Sequence, residues 1–170
     1  MFGEFAYVVD ELQGVAEVLE LEAALYMVVL DGVPTTDPFE VLFDFVAFSN
    51  GTTALHAACA VAGISEGDEV ITTPITFAAD ANAVVYNNGK PVFADIKPDT
   101  LNIDPAKIED KITENTKVII PVDFTGNPAD LEEINKIAQR NNLTVIEDAA
   151  HALGAEYKGG KLGSISNMTM

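Results

Sequence analysis

Basic residues are missing from the first half of this sequence. Residues 1–89 hold fourteen acids and no Lys or Arg, and all nine bases fall between Lys90 and Lys161. Over 170 residues the formal net charge is −18. Contacts to nucleic-acid phosphates or an anionic membrane need clustered cations, so neither is expected as a partner. A small anionic ligand stays open, because backbone amides at a helix N-terminus hold anions without side-chain cations. Cysteine is nearly absent too. Cys59 stands alone and cannot close an internal disulfide, which excludes a disulfide-stapled secreted scaffold. Long apolar runs are lacking: Ala23–Leu30 is eight residues long, against the ~20 of a membrane span. The N-terminal segment has no basic stretch of the kind that opens a secretory signal peptide. No metal site is expected. A soluble cytoplasmic protein is the default that these absences leave.

What is present is globular. Hydrophobic residues make up 48% of the chain and charged residues 21%, enough for one domain with a sizeable core. From Ala54 onward short strand-like and helical segments alternate. Helices are expected over Thr53–Ala62, Phe77–Tyr86, Pro105–Ile112 and Pro128–Arg140. Asp104 precedes Pro105 as an N-cap precedes a helical first turn, and Glu132 and Lys136 stand at i,i+4. Strands are expected over Glu69–Thr73, Pro91–Ile96, Lys117–Val122 and Leu143–Glu147. Lys117–Val122 (KVIIPV) is almost wholly apolar, as a strand covered on both faces is. The alternation predicts an α/β fold with a mostly parallel sheet and helices on both faces. Residues 1–47 read less sharply. Val9–Leu30 is expected to be helical, with Ala23–Leu30 equally readable as a strand, and Thr36–Phe48 reads as a helix capped by Asp37. Ser164–Met170 begins a β-prone run.

Four segments carry candidate chemistry. Ser49–His56 (SNGTTALH) places small hydroxylated residues and a glycine before a helix, where orphan amides and the helix dipole can cradle a phosphate. The same pattern also serves as a plain N-cap. Ile146–Ala152 (IEDAAHA) puts Asp148 at the carboxyl end of a buried strand, where open α/β sheets bind ligands. An Asp there can hold a protonated ring nitrogen, and His151 can donate to a ligand oxygen. The alternative is a capping Asp beside an incidental His. Thr72–Phe77 enters a helix from a strand, with Phe77 as either a stacking ring or a core residue. Asp123–Asn127 follows the KVIIPV strand, as a binding loop or a simple turn. All four fall on one edge of the expected sheet.

Together, FSNGTTALHAA, GDEVITTPITFAADANAVVY, GKPVFADI, IIPVDFTGNPADLEEI and VIEDAAHALGAEYKGGKLGS resemble the DegT/StrS-type sugar aminotransferases, fold-type I enzymes dependent on pyridoxal 5′-phosphate (PLP). The likeness runs over residues 48–170 and looks nearest to the branch that aminates a UDP-linked 4-keto sugar for pseudaminic acid. Asp10–Leu19 and Gly32–Glu40 are similar to the family's opening helices. The resemblance divides the chain into a divergent helical segment, 1–47, and the first half of a PLP-binding large domain, 48–170. It implies that Gly51, Thr52 and Thr53 bind the cofactor phosphate and Phe77 stacks on the pyridine ring. Asp148 would pair with the ring nitrogen and His151 with the phenolic oxygen. It implies glutamate as amino donor, a nucleotide-linked sugar as acceptor, and a homodimer. The lysine that forms the Schiff base belongs to an SFHPVK-like segment of the family. Lys158 and Lys161 do not match it, so the expectation is a truncated, inactive aminotransferase. The alternative is a non-catalytic module that binds a phosphorylated or nucleotide ligand.

Overall fold

A computed structural model of the chain describes residues 26–30 and 44–170. In chain order the elements are β1 (Tyr26–Leu30), β2 (Asp44–Phe48), α1 (Gly51–Val61), β3 (Glu69–Thr72), α2 (Ala79–Tyr86) and β4 (Lys90–Phe93). Then come α3 (Pro105–Glu109), β5 (Thr116–Ile120), a 3-10 turn (Phe124–Gly126), α4 (Leu131–Asn141) and β6 (Thr144–Glu147). A two-residue hairpin, β7 (Glu156–Tyr157) and β8 (Gly160–Lys161), precedes β9 (Met168–Thr169).

The main sheet has seven strands in the order β2-β1-β9-β6-β5-β3-β4. The pairings β3–β4, β3–β5, β5–β6 and β6–β9 are parallel. The β1–β2 and β1–β9 pairings are antiparallel. Successive residues of a strand face opposite sides, and here each side is covered. Val70, Val118, Ile120 and Ile146 pack with Leu55, Ala58 and Cys59 of α1 and Ala83 and Val84 of α2. Their neighbours Ile71, Ile119 and Val145 face the other way, onto Ile108 of α3 and Leu131, Ile134 and Ile137 of α4. Each such isoleucine, fully buried, contributes roughly 1.5–3 kcal/mol over exposure. That alternation explains why these strands are apolar on nearly every residue.

Local chemistry sets the element ends. Asp104 caps α3 by accepting from the Ala106 amide at 3.0 Å, with Pro105 in the first turn. Glu132 and Lys136 pair at 2.6 Å along α4. Two expectations change. The helix read over Thr36–Phe48 does not hold at Asp44–Phe48, which is a strand paired with β1 from Tyr26↔Phe48 to Leu30↔Asp44. Tyr26–Leu30 takes the strand reading of Ala23–Leu30 rather than the helical one. The described parts of 1–47 are therefore extended. Asp10–Leu19, Asp37 and Gly32–Glu40 lie outside the described residues. Phe77 precedes its helix instead of opening it, since α2 begins at Ala79. Among the described residues no helix is long and apolar enough to cross a membrane, and no group of His, Cys, Asp or Glu is arranged to hold a metal ion.

Candidate functional site

Parallel strands bring their carboxyl ends to one edge, and the segments that follow β3, β5 and β6 meet there with the N-terminus of α1. Between them lies a cavity of about 330 Å³. Its walls include Gly51, Thr52, Thr76, Phe77, Asp148 and His151. An isolated bridge between Val122 and Asp148 extends the β5–β6 register to the cavity floor.

At the α1 end, the N-cap reading of the SNGTT segment is realised. Asn50 is the N-cap: its Oδ1 accepts from the Thr53 amide at 2.9 Å. Thr53 Oγ1 returns a bond to the Asn50 carbonyl at 2.8 Å. The first intrahelical bond is Ala54 N to Asn50 O. The Gly51 and Thr52 amides thus have no acceptor among the described residues, and both residues line the cavity. Thr53 does not line it; its hydroxyl and amide are spent on the cap.

Across the cavity, Asp148 is 7% exposed and accepts the Ala150 amide at 3.0 Å. Burial raises its pKa above the ordinary carboxylate value, against that amide bond. Phe77 is 74% exposed on the cavity wall, so it is an accessible ring and not a core residue. His151 follows on the same loop. The turn Phe124–Gly126 closes the remaining side through Phe124. Thr72 and Thr73, in contrast, are buried. Thr72 donates to the Ile120 carbonyl at 3.0 Å and Thr73 accepts the Ile75 amide at 3.2 Å.

Beneath the cavity lie three acids, of which Asp80 falls outside the four candidate segments. Asp80, on the first turn of α2, and Asp123, after β5, are fully buried, as is Glu147. Burial, then the Asp148 charge, pushes Asp80 up to about 7. Burial pushes Asp123 up to about 7 against a bond from the Ala129 amide, with Glu147 adding to the rise. Burial also raises Glu147, whose Oε2 accepts from Ser166 at 2.6 Å. Asp80 Oδ1, Asp123 Oδ2 and Glu147 Oε1 are buried without a partner. The signal for Asp80 was an acid at i−3 and i−4 from Ala83 and Val84 on the apolar face of its helix.

No lysine lines the cavity. Lys158 pairs with Glu132, and Lys161 with Glu156 at 2.6 Å, both around the β7–β8 hairpin.

Comparison with known proteins is consistent with this geometry. Residues 44–170 match the DegT/DnrJ/EryC1/StrS aminotransferase family. GDP-perosamine synthase of Caulobacter vibrioides is 49% identical over 122 residues, 72% of this chain and 33% of that protein. The spore coat polysaccharide biosynthesis protein SpsC of Bacillus subtilis is 47% identical over 124 residues, 73% of this chain and 32% of that protein. Among solved structures, an aminotransferase from Psychrobacter cryohalolentis aligns with a TM-score of 0.69 at 45% identity, over 71% of this chain and 30% of that one. NtdA from Bacillus subtilis, solved with bound cofactor PMP, aligns with a TM-score of 0.66 at 41% identity, over 70% of this chain and 26% of that one. The chain spans about a third of the length of the curated relatives it matches. It belongs to the DegT/DnrJ/EryC1/StrS aminotransferase family, whose aminotransferases are PLP-dependent, and its mostly parallel sheet is that of the fold-type I enzymes.

Proposed function

We propose that this chain forms the cofactor-holding part of a cytoplasmic, homodimeric PLP-dependent aminotransferase. Its amino donor is glutamate and its acceptor a 4-keto nucleotide-linked sugar, in the service of polysaccharide biosynthesis. One observation carries the reading: Gly51, Thr52, Phe77, Asp148 and His151, distant in sequence, line a single cavity. The perosamine synthase and spore-coat relatives support the sugar acceptor.

The residues present fit the group. The amides of Gly51 and Thr52, with the Thr52 hydroxyl and the α1 dipole, form a seat for a phosphate. Phe77 offers an exposed face for a planar ring. Asp148 would accept a ring N–H and hold that proton on the nitrogen, and His151 would donate to a ring oxygen. Thr53 acts one step away, by fixing the Asn50 cap that orients the free amides. When bound, the cofactor supplies an electron sink for breaking bonds at the amino-bearing carbon.

Transamination also needs an amine to carry the cofactor and move the proton. Neither Lys158 nor Lys161 lines the cavity, so the 170 residues on their own hold the cofactor non-covalently and do not turn over. The same observation favours a second reading, a module that binds a phosphorylated or nucleotide ligand without chemistry. Titrating the purified chain with PLP tests both. Saturable binding that Asp148→Asn abolishes is expected, with no amino transfer from glutamate. Absence of binding overturns the cofactor reading, and turnover overturns the inactivity. Tight binding of a nucleotide in preference to PLP favours the second reading.

A further inference from the structure

Asp80 has no part in the roles above, yet its surroundings are unusual. It is 0% exposed, at the start of α2 and directly after the loop that presents Thr76 and Phe77 to the cavity. Its Oδ2 accepts from Thr76 Oγ1 at 2.5 Å. Its Oδ1 is buried with no partner, and Thr76 and Ala79, just before it in the chain, line the cavity together with Asp148, whose charge acts on it. Two bare carboxylates side by side in a buried setting repel, and one orphan oxygen remains unsatisfied. A single proton between them removes both costs.

Other groups around Asp80 do not supply a better partner. Cys59 of α1 is buried as well, and burial pushes that thiol up to about 12, so it stays neutral. Asp123, after β5, adds negative charge near Asp148. No lysine or arginine lines the cavity above.

Resting on the cofactor reading above, we propose that Asp80 is a positioning residue for this site. Its Oδ1 carries a proton and donates it to Asp148, which remains the carboxylate turned toward the ring nitrogen. Thr76 fixes the other oxygen of Asp80 and so selects which one donates. The acid of the pair that touches ligand is thereby kept ionised, and the acid that does not is kept neutral. The raised pKa of Asp80 accords with this division.

The test uses the full chain and 4′-deoxypyridoxine 5′-phosphate, which has the ring and phosphate but no aldehyde to react with lysines. Asp80→Asn keeps an acceptor for Thr76 and a donor for Asp148, so it should bind within about twofold of wild type. Asp80→Ala and Asp80→Leu remove the donor to a charged acceptor and should bind about tenfold more weakly. Two such variants of different volume separate the lost bond from a void. An infrared band of a protonated carboxyl, present in wild type below neutral pH and missing from the Asp80→Asn difference spectrum, identifies the proton itself. Asp80→Asn binding as weakly as Asp80→Ala, wild-type binding by both donor-less variants, or absence of the band each overturns the proposal. Failure of wild type to bind, or wild-type affinity in Asp148→Asn, shows instead that the cofactor reading is wrong, and the role of Asp80 falls with it.

Discussion

Gly126 packs against the backbone of His151: a Cβ placed on Gly126 would lie 2.9 Å from the His151 carbonyl oxygen. Its φ is +82°, a conformation that L side chains rarely adopt. At this point the turn after β5 and the loop after β6 meet main chain to main chain. Gly126→Ala should cost about 1–3 kcal/mol through strain and overpacking. It should also move the loop that carries His151 and Asp148. Chemical denaturation and PLP titration of the same variant check both effects; a stable variant with lost binding would show that loop placement dominates.

Thr52 and Thr53 are adjacent but do different work, and single substitutions should separate them. Thr53→Ala removes the hydroxyl bond to the Asn50 carbonyl and, as a weakened cap, should lower stability by about 0.5–1 kcal/mol. Thr52→Ala should leave the melting temperature nearly unchanged and weaken binding of a phosphate-bearing ligand by several-fold. Paired thermal melts and titrations read the difference.

The buried acids give stability a pH dependence of defined sign. Asp80 and Asp123 go from an ordinary value of 3.8 to about 7 on folding. Between those values the folded state binds more protons than the unfolded one, so their contribution is full below the lower value and is lost as pH rises through the upper. Glu132, Asp68 and Glu69 act oppositely. Ion pairs and hydrogen bonds lower their values, so their contribution is lost in acid. Melting temperature should fall as pH rises from about 4 to 7. Asp123→Asn should flatten that slope while the acid limb stays.

Lys158→Gln and Lys161→Gln should leave cofactor binding unchanged, because both ammonium groups pair with glutamates away from the cavity. Borohydride treatment of a PLP–protein mixture, followed by peptide mapping, should find no lysine labelled in a way that a cavity ligand blocks. Loss of binding in either variant would place a lysine at the site after all.

Much of this was readable from residue order because the signals were local. KVIIPV announces a strand covered on both faces, Asp104-Pro105 announces a capped helix, and SNGTT announces a helix N-terminus. What stayed hidden depended on distant pairing. Asp44–Phe48 mixes apolar and acidic residues in a way that suits either helix or strand, and its antiparallel partner β1 decides. Phe77 could be core or cavity wall until Ala79 was seen to open the helix. Asp80 resembles an acid placed to favour a helix dipole. Only the meeting of the loop after β3 with the loop after β6 turns it into a buried neighbour of Asp148. At SNGTT three consecutive residues suit an anion, and only the fold shows that the cap engages the third.

The order of strands has a kinetic consequence. β9 sits between β6 and β1, so Val29 and Leu30 pair with Thr169 and Met168 across nearly the whole described chain. Closing so long a loop is entropically slow and is rewarded late. The parallel strands β3 to β6 can assemble first, whereas β1, already able to pair with β2, joins them only through β9. Until β9 is in place, the edge of β1 that it covers is open to pairing with another chain.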